Sequence, residues 1–263
     1  RQADKYGVPR MAFINKLDRT GSDFLVVLKE IRERLGAKAL PLQLPIGRED
    51  TFTGVVDLVA MKSVIFDSAT PSEPPVIGEI PPELMEDAKR YRHELMEGVA
   101  EYDDALMEKY IHDQPFTDAE LRGGIRAATI HTCQLVQGEE KREPIFVPVL
   151  CGASFRNIGV QPLLDAVCDY LPSPLDVPIP AAHHPVSQEL VAVEPDEEAG
   201  FVGLAFKIAT DPYVGKLFFI RVYSGVLRSG QNLYNTTRRR KERISKLMRM
   251  HANKQELVEE IKA

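Results

Sequence analysis

No run of residues in this sequence is both long and apolar enough to cross a bilayer as a helix. The longest apolar stretches, such as Ile145 to Cys151, fall far short of the ~20 residues a membrane helix requires, and the chain does not open on a basic segment followed by an apolar one. Neither a membrane span nor a secretory leader is expected, and a cytoplasmic location follows. Cysteine is scarce as well. Cys133, Cys151 and Cys168 are odd in number, lack CxxC spacing and sit among apolar residues, which argues against a disulfide framework and predicts reduced core residues. Two pairs of possible metal ligands, His131 with Cys133 and His183 with His184, have no second pair at a useful distance along the chain, so no metal site is assigned. Carboxylate pairs such as Asp103-Asp104 lie on a helix predicted to be solvated, with no sign of a cleft. Acid–base hydrolysis by paired carboxylates is not expected.

The 263 residues are 44% hydrophobic and 27% charged, enough for two or three globular cores. The net charge of −6 is unevenly spread. Residues 81–120 carry 4 Lys/Arg against 12 Asp/Glu, a net −8, whereas residues 201–263 carry 13 Lys/Arg against 5 Asp/Glu, a net +8. Such opposite fields predict different partners at the two ends.

Along the chain, Met11 to Ile14 is a short apolar strand. Phe24, Val27, Leu28, Ile31 and Leu35 recur at helical spacing, and Gly36 closes that helix. A strand, a polar junction and a helix form the α/β arrangement in which ligands bind beyond the carboxyl ends of strands. Short strands follow at Leu42 to Ile46, Phe52 to Val59 and Ser63 to Phe66, then a Pro- and Ser-rich stretch, Ser68 to Pro82. Helices come next, with Leu84, Ala88, Tyr91 and Leu95 on one face, Tyr102, Leu106 and Tyr110 on another, and a capping box at Thr117-Asp118-Ala119-Glu120. Residues 37–143 therefore read as an α+β insertion. The α/β pattern resumes with the apolar strand Ile145 to Leu150, the polar Gly152 to Asn157, and a helix whose apolar positions are Val160, Leu163, Leu164, Val167 and Leu171. A Pro-rich linker leads to alternating strands at Phe201 to Ile208, Leu217 to Tyr223 and Gln231 to Asn235, with turns at Asp211-Pro212 and Ser229-Gly230. This tail reads as an all-β barrel with too few strands to close.

One motif carries specific chemistry. Asn15-Lys16-Leu17-Asp18 fits NKxD, the pattern by which P-loop GTPases select guanine, and it stands between an apolar strand and a helix. An aspartate at a strand end accepts hydrogen bonds from both the N1–H and the 2-amino group of guanine, a pair that adenine does not present. Rejecting the wrong base rests on leaving that carboxylate unpaired, at a cost of about 1.5–3 kcal/mol. In this reading the Lys16 stem lies along the base and Asn15 ties the loop to the phosphate-binding side. A second loop, Gly152-Ala153-Ser154-Phe155-Arg156-Asn157, partly matches the SAxK pattern whose backbone N–H groups hold the guanine O6. Ser and Ala are interchanged and Lys is Arg, so the backbone donor of Ser154 is retained, the hydroxyl moves one position, and Arg156 is left to stack on the base.

Four segments resemble the elongation factor G family of translational GTPases in the family's order: Asn15 to Phe24, Val160 to Pro178, Phe206 to Gly225, and Met250-His251-Ala252-Asn253. The resemblance implies that 1–36 and 144–175 form the second half of a GTPase domain, 37–143 an inserted subdomain, 176–199 a linker and 200–263 the start of a β-barrel second domain. It implies guanine binding by Asn15, Lys16, Asp18, Ala153, Ser154, Phe155 and Arg156, with GTP or GDP as the cofactor. It also implies a parent protein that hydrolyses GTP to move transfer RNA and messenger RNA on the ribosome, acting as a monomer with no membrane partner. No GxxxxGK[ST] is present; the lone Gly215-Lys216 pair is followed by Leu217. The phosphate loop, Mg²⁺ ligands and catalytic residues are expected upstream, and the chain alone is expected to be inactive. Related readings are a recycling paralogue, release factor 3, a tetracycline-resistance ribosomal protection protein, and a ribosome-binding module that no longer uses nucleotide. The basic run Arg238, Arg239, Arg240 and Lys241 is either a solvated hairpin or a grip on ribosomal RNA phosphates. The acidic helices are either a solvated face or, as the family suggests, a dock for the stalk protein of the large ribosomal subunit.

Overall fold

The computed structural model describes residues 2–67, 73–131, 144–177, 182–185, 187–211, 215–251 and 254–263. Cys133, Pro212 and the Ala252-Asn253 pair, each singled out above, lie outside the described residues. The chain divides into two compact units, 1–176 and 177–263.

In the first unit a short helix, α1 (Gln2–Lys5), precedes β1 (Ala12–Ile14), α2 (Phe24–Leu35) and β2 (Lys38–Pro41). β7 (Phe146–Cys151) lies between β1 and β2, parallel to both. All six of its residues are buried, which explains why the sequence there is apolar without alternation. The helix α2 forms where its ends are satisfied. Asp23 accepts hydrogen bonds from the N–H groups of Leu25 and Val26 at 2.9 and 3.1 Å, and Gly36 closes the helix at φ 61°. Phe24 and Leu28 drive its inner face into the core.

A second sheet, antiparallel in the order β3 (Gln43–Ile46), β4 (Gly54–Asp57), β5 (Lys62–Ile65) and β6 (Val76–Gly78), is followed by α3 (Pro82–Ala100), α4 (Asp104–Ile111) and α5 (Asp118–His131). The capping box at α5 is present: the Glu120 N–H donates to Thr117 Oγ1 at 3.3 Å while the Thr117 N–H donates to Glu120 Oε2 at 2.9 Å. Lys38 to Pro41, read from sequence as the start of the insertion, instead pairs with Phe146 to Val149 in the parallel sheet. One apolar cluster joins Ile14, Leu17, Phe24 and Val149 of the α/β part to Leu44, Phe52, Val55 and Val56 of the second sheet. Insertion and α/β part therefore share one core.

The final helix of this unit, α6 (Val160–Tyr170), corrects one expectation. Its buried residues are Ala166 and Tyr170, with Leu163 packed beside them, while Leu164 is 61% exposed and Val167 and Cys168 face solvent. Two apolar stripes compete on this helix. Packing selects the one ending in Tyr170, so Cys168 is not a core residue, whereas Cys151 at the end of β7 is. Burial pushes the Cys151 thiol well above its ordinary range.

The second unit is built of two-stranded antiparallel ladders: β8 (Ala182–His183) with β9 (Leu190–Val191), β10 (Val202–Asp211) with β11 (Gly215–Ser224), β12 (Val226–Arg228) with β17 (Glu260–Lys262), β13 (Asn232–Asn235) with β14 (Arg240–Arg243), and β15 (Leu247–His251) with β16 (Lys254–Val258). Val193, Ser224, Leu227 and Leu247 are buried there. Leu204, Phe206, Ile208 and Phe218 on the β10–β11 hairpin are more than half exposed. Among the described residues these ladders do not close into a barrel.

Candidate functional site

The parallel register of β1 and β7 places Ile14 beside Cys151, so the loops that leave their carboxyl ends emerge side by side. Three hydrogen bonds join them. The Gly152 N–H donates to Ile14 O at 3.0 Å, the Leu17 N–H to Gly152 O at 3.2 Å, and the Ser154 N–H to Asn15 Oδ1 at 3.0 Å. The same Asn15 oxygen accepts the Lys16 N–H at 2.8 Å. One side chain thus organises both loops. Sequence reasoning gave Asn15 a tie toward the phosphate side; here its tie is to the second loop.

Each loop is shaped by its own residues. In the first, Lys16 adopts a left-handed conformation at φ 65°, Leu17 is 4% exposed and anchors the loop in the core, and the Ser22 hydroxyl donates to Leu17 O at 2.9 Å. Asp18, half-buried on the far side of that anchor, has no hydrogen bond or ion pair among the described residues. In the second, Ala153 and Ile158 exchange backbone hydrogen bonds at 3.0 and 3.2 Å, closing the loop around a single 3-10 turn, Ser154–Arg156. Gly152 is required here, because a Cβ would overlap Ile158 O and stand 2.7 Å from the Phe13 ring. Phe155 rides the crest of the turn, 97% exposed.

The Ser154 N–H, expected from sequence to face a ligand, is already committed to Asn15. The N–H that follows it, on Phe155, has no intramolecular partner among the described residues, as usual for the first donors of a helical turn. Together the loops present an acceptor-only carboxylate, a free backbone donor, an exposed aromatic ring and the long cation of Lys16. These are the kinds of group that bind a planar heterocycle carrying adjacent donors and an acceptor. The sequence placed Gly152 in the second loop but assigned it no role; its carbonyl and N–H bridge the two loops, and its position directly after a buried strand was the available signal.

The basic run lies in the second unit on the β13–β14 hairpin. Arg240 Nε donates to Glu242 Oε1 at 3.0 Å and Arg238 lies 3.8 Å from the same oxygen. Hydrogen bonds from Asn235 and Arg240 hold the Glu242 carboxyl below its usual range. Two of the four cations thus share one carboxylate. Cross-strand pairing of Tyr234 with Lys241 and of Asn232 with Arg243 puts these four exposed residues on the face opposite Glu242.

Known proteins resemble this chain in both units. A family model described as the elongation factor Tu GTP binding domain matches residues 1–173, and one described as elongation factor G domain 2 matches residues 200–263. A crystal structure of a Thermus thermophilus protein, ttk003000868, superposes with a TM-score of 0.73 at 27% sequence identity, covering 99% of this chain and 34% of that one. The chain therefore spans about a third of the length of the protein it matches.

Proposed function

Because this chain belongs to the translational GTPases that carry an elongation factor Tu GTP binding domain, we propose that it supplies the guanine-reading side of the nucleotide site in a larger ribosomal translocase of the elongation factor G type. The observation that carries this reading is the joining of the two loops through Asn15, in a pair of loops where neither the Asp18 carboxylate nor the Phe155 N–H has a partner among the described residues. Asp18 would accept from guanine N1–H and N2–H, and the Phe155 N–H would donate to O6. The Phe155 ring and the Lys16 stem would cover the faces of the base. Arg156 and Ala153 complete the loop that sets those positions.

In this reading Mg²⁺ and the phosphate chemistry belong to residues outside the two loops, and the chain alone binds no nucleotide tightly and hydrolyses none. The parent protein would bind the ribosome, using the basic hairpin on ribosomal RNA and the acidic α3–α4 surface on the stalk protein, as a cytoplasmic monomer. A recycling role would use the same site. A module that has lost nucleotide binding is the competing view, motivated by the interchanged Ala153-Ser154.

The test is base selection in the full-length protein. Replacing Asp18 by Asn puts an amide donor where guanine also donates, and matches it instead to the O2 acceptor of xanthine. Asp18→Asn is expected to weaken GDP binding by at least 10-fold, on the order of the 1.5–3 kcal/mol of a charge-assisted hydrogen bond, and to gain affinity for xanthosine diphosphate. Equal affinity of the native protein for GDP and ADP would end the guanine reading, and no measurable binding of either would favour the nucleotide-free module.

A further inference from the structure

The loop that carries Asn15 to Asp18 is held at its far end by a residue from another part of the chain. The Gly21 N–H donates to Glu49 Oε1 at 2.7 Å, across 28 residues of sequence. Glu49 stands in the turn between β3 and β4, in the antiparallel sheet that precedes the acidic helices. We propose that Glu49 is a positioning residue for the guanine-reading loop, and that through it the inserted sheet sets how well Asp18 meets the base.

Three features of the turn argue that it is built to present this carboxylate. First, Glu49 has φ 51°, a left-handed conformation that a glutamate adopts at a cost. Second, the backbone around it is pinned: Gly47, at φ 82°, occupies a place where a Cβ would overlap the Thr51 carbonyl. The Arg48 N–H donates to Thr51 Oγ1 at 3.0 Å, the Thr51 hydroxyl donates to Arg48 O at 2.7 Å, and the Phe52 N–H donates to Glu49 O at 3.1 Å. Third, Phe52 is fully buried and anchors the turn in the core shared with Leu17. A rigid, anchored turn thus holds its carboxylate against a loop glycine.

On the receiving side, Gly21 follows Asp18 by three residues through two tight turns, closed by Arg19 N–H to Lys16 O and Ser22 N–H to Arg19 O, both at 3.1 Å. Fixing the Gly21 N–H therefore fixes the segment that aims Asp18. The shared core holds Leu17 and Phe52, but above it Leu17, Ser22 and Asp23 of the loop and Gly47 and Arg48 of the turn line a common cleft of about 320 Å³, so the two segments are not packed against each other there. Where the two segments face open space, a single charged hydrogen bond acts as the strut. The chemistry suits that role, since a carboxylate accepts more strongly than a neutral oxygen, and its partner is a backbone N–H with no helix or strand to pair with.

The proposal rests on the guanine reading above, and the experiment separates the two. In the full-length protein, release of a fluorescent GDP analogue is followed for Glu49→Ala, Glu49→Asp, Glu49→Gln and Asp18→Asn, with amide exchange at Gly21 measured by mass spectrometry. Glu49→Ala, and Glu49→Asp, which withdraws the carboxylate by one methylene, are expected to speed release about 3- to 10-fold, the range of one hydrogen bond, and to raise exchange at Gly21. Glu49→Gln, which keeps an acceptor oxygen at the same reach, restores most of both. If Glu49 acts through Asp18, Glu49→Ala also narrows the preference for GDP over inosine diphosphate, which lacks the 2-amino group; a merely structural residue would leave that ratio unchanged. Native release and exchange in Glu49→Ala and Glu49→Asp, with fast release in Asp18→Asn, would overturn the strut and leave the guanine reading standing. Native release in Asp18→Asn would overturn both.

Discussion

Asn15 serves two backbone donors with one oxygen, so its loss has two costs. Asn15→Ala leaves the Lys16 and Ser154 N–H groups without their acceptor and removes one of the three hydrogen bonds that join the loops. Both groups are exposed enough for water to replace part of what is lost, which limits the effect on folding to about 1 kcal/mol. The effect on base affinity is expected to be larger, because position rather than stability is lost. Thermal melting and GDP binding of the same variant measure the two quantities. Phe155 makes the converse case. A ring 97% exposed contributes little to the fold, so Phe155→Ala is expected to leave the melting temperature unchanged while weakening nucleotide binding, by about 0.5–1.5 kcal/mol if the ring covers the base. A drop in melting temperature with native affinity would remove Phe155 from the site.

Among the elements, the helices of the first unit are where close packing governs. Gly124 in α5 faces α4, and a Cβ there would stand 2.6 Å from Leu106 Cδ1 and 3.2 Å from Val99 Cγ2. Gly124→Ala is expected to destabilise the unit by about 1–3 kcal/mol through overpacking, read as a lower denaturant midpoint with unchanged slope. Neighbouring Gly123 meets nothing within 4 Å, and Gly123→Ala is expected to stabilise α5 slightly through helix propensity. This contrast separates packing from propensity within two residues. At the end of α6, burial pushes the Tyr170 hydroxyl up to about 12. Its folded-state value lies above the ordinary 10, so the neutral form is favoured by folding. The resulting stability is complete below pH 10 and is lost as pH rises toward 12. Alkaline unfolding curves should show this limb in the native protein and a weaker one in Tyr170→Phe.

For the whole molecule, charge is segregated between acidic helices at 81–120, net −8, and a basic tail at 201–263, net +8. Counterion release gives a measurable consequence. If the face bearing Lys241 and Arg243 meets RNA phosphates, each substitution by Ala should lower the slope of log affinity against log salt by about 0.7–0.9. Arg240→Ala should do less, because that cation already shares Glu242. Reversing Glu97, Glu101 and Asp104 to Lys should slow recruitment of the full-length protein to ribosomes, as stopped-flow light scattering would register; unchanged rates would remove the acidic helices from the docking surface.

The division between what was legible and what was not follows the range of the interactions. Gly36 closing α2, the Thr117 and Glu120 box, the apolar run of β7 and the Asn15 to Asp18 motif are set by residues within a few positions of one another, so the sequence by itself determined them. The tertiary structure alone decided the rest. Both stripes of α6 are apolar, and only the neighbouring core selects Tyr170 over Leu164 and Val167. β2 could be assigned to the parallel sheet only once β7, about a hundred residues later, was seen beside it. The site itself depends on contacts of the same kind: Asn15 meets Ser154 across 139 residues and Gly21 meets Glu49 across 28, and no local pattern records which distant backbone donor a side-chain oxygen will find. Local chemistry wrote the motif into the sequence, while the aim of its carboxylate depends on chain segments that only folding brings together.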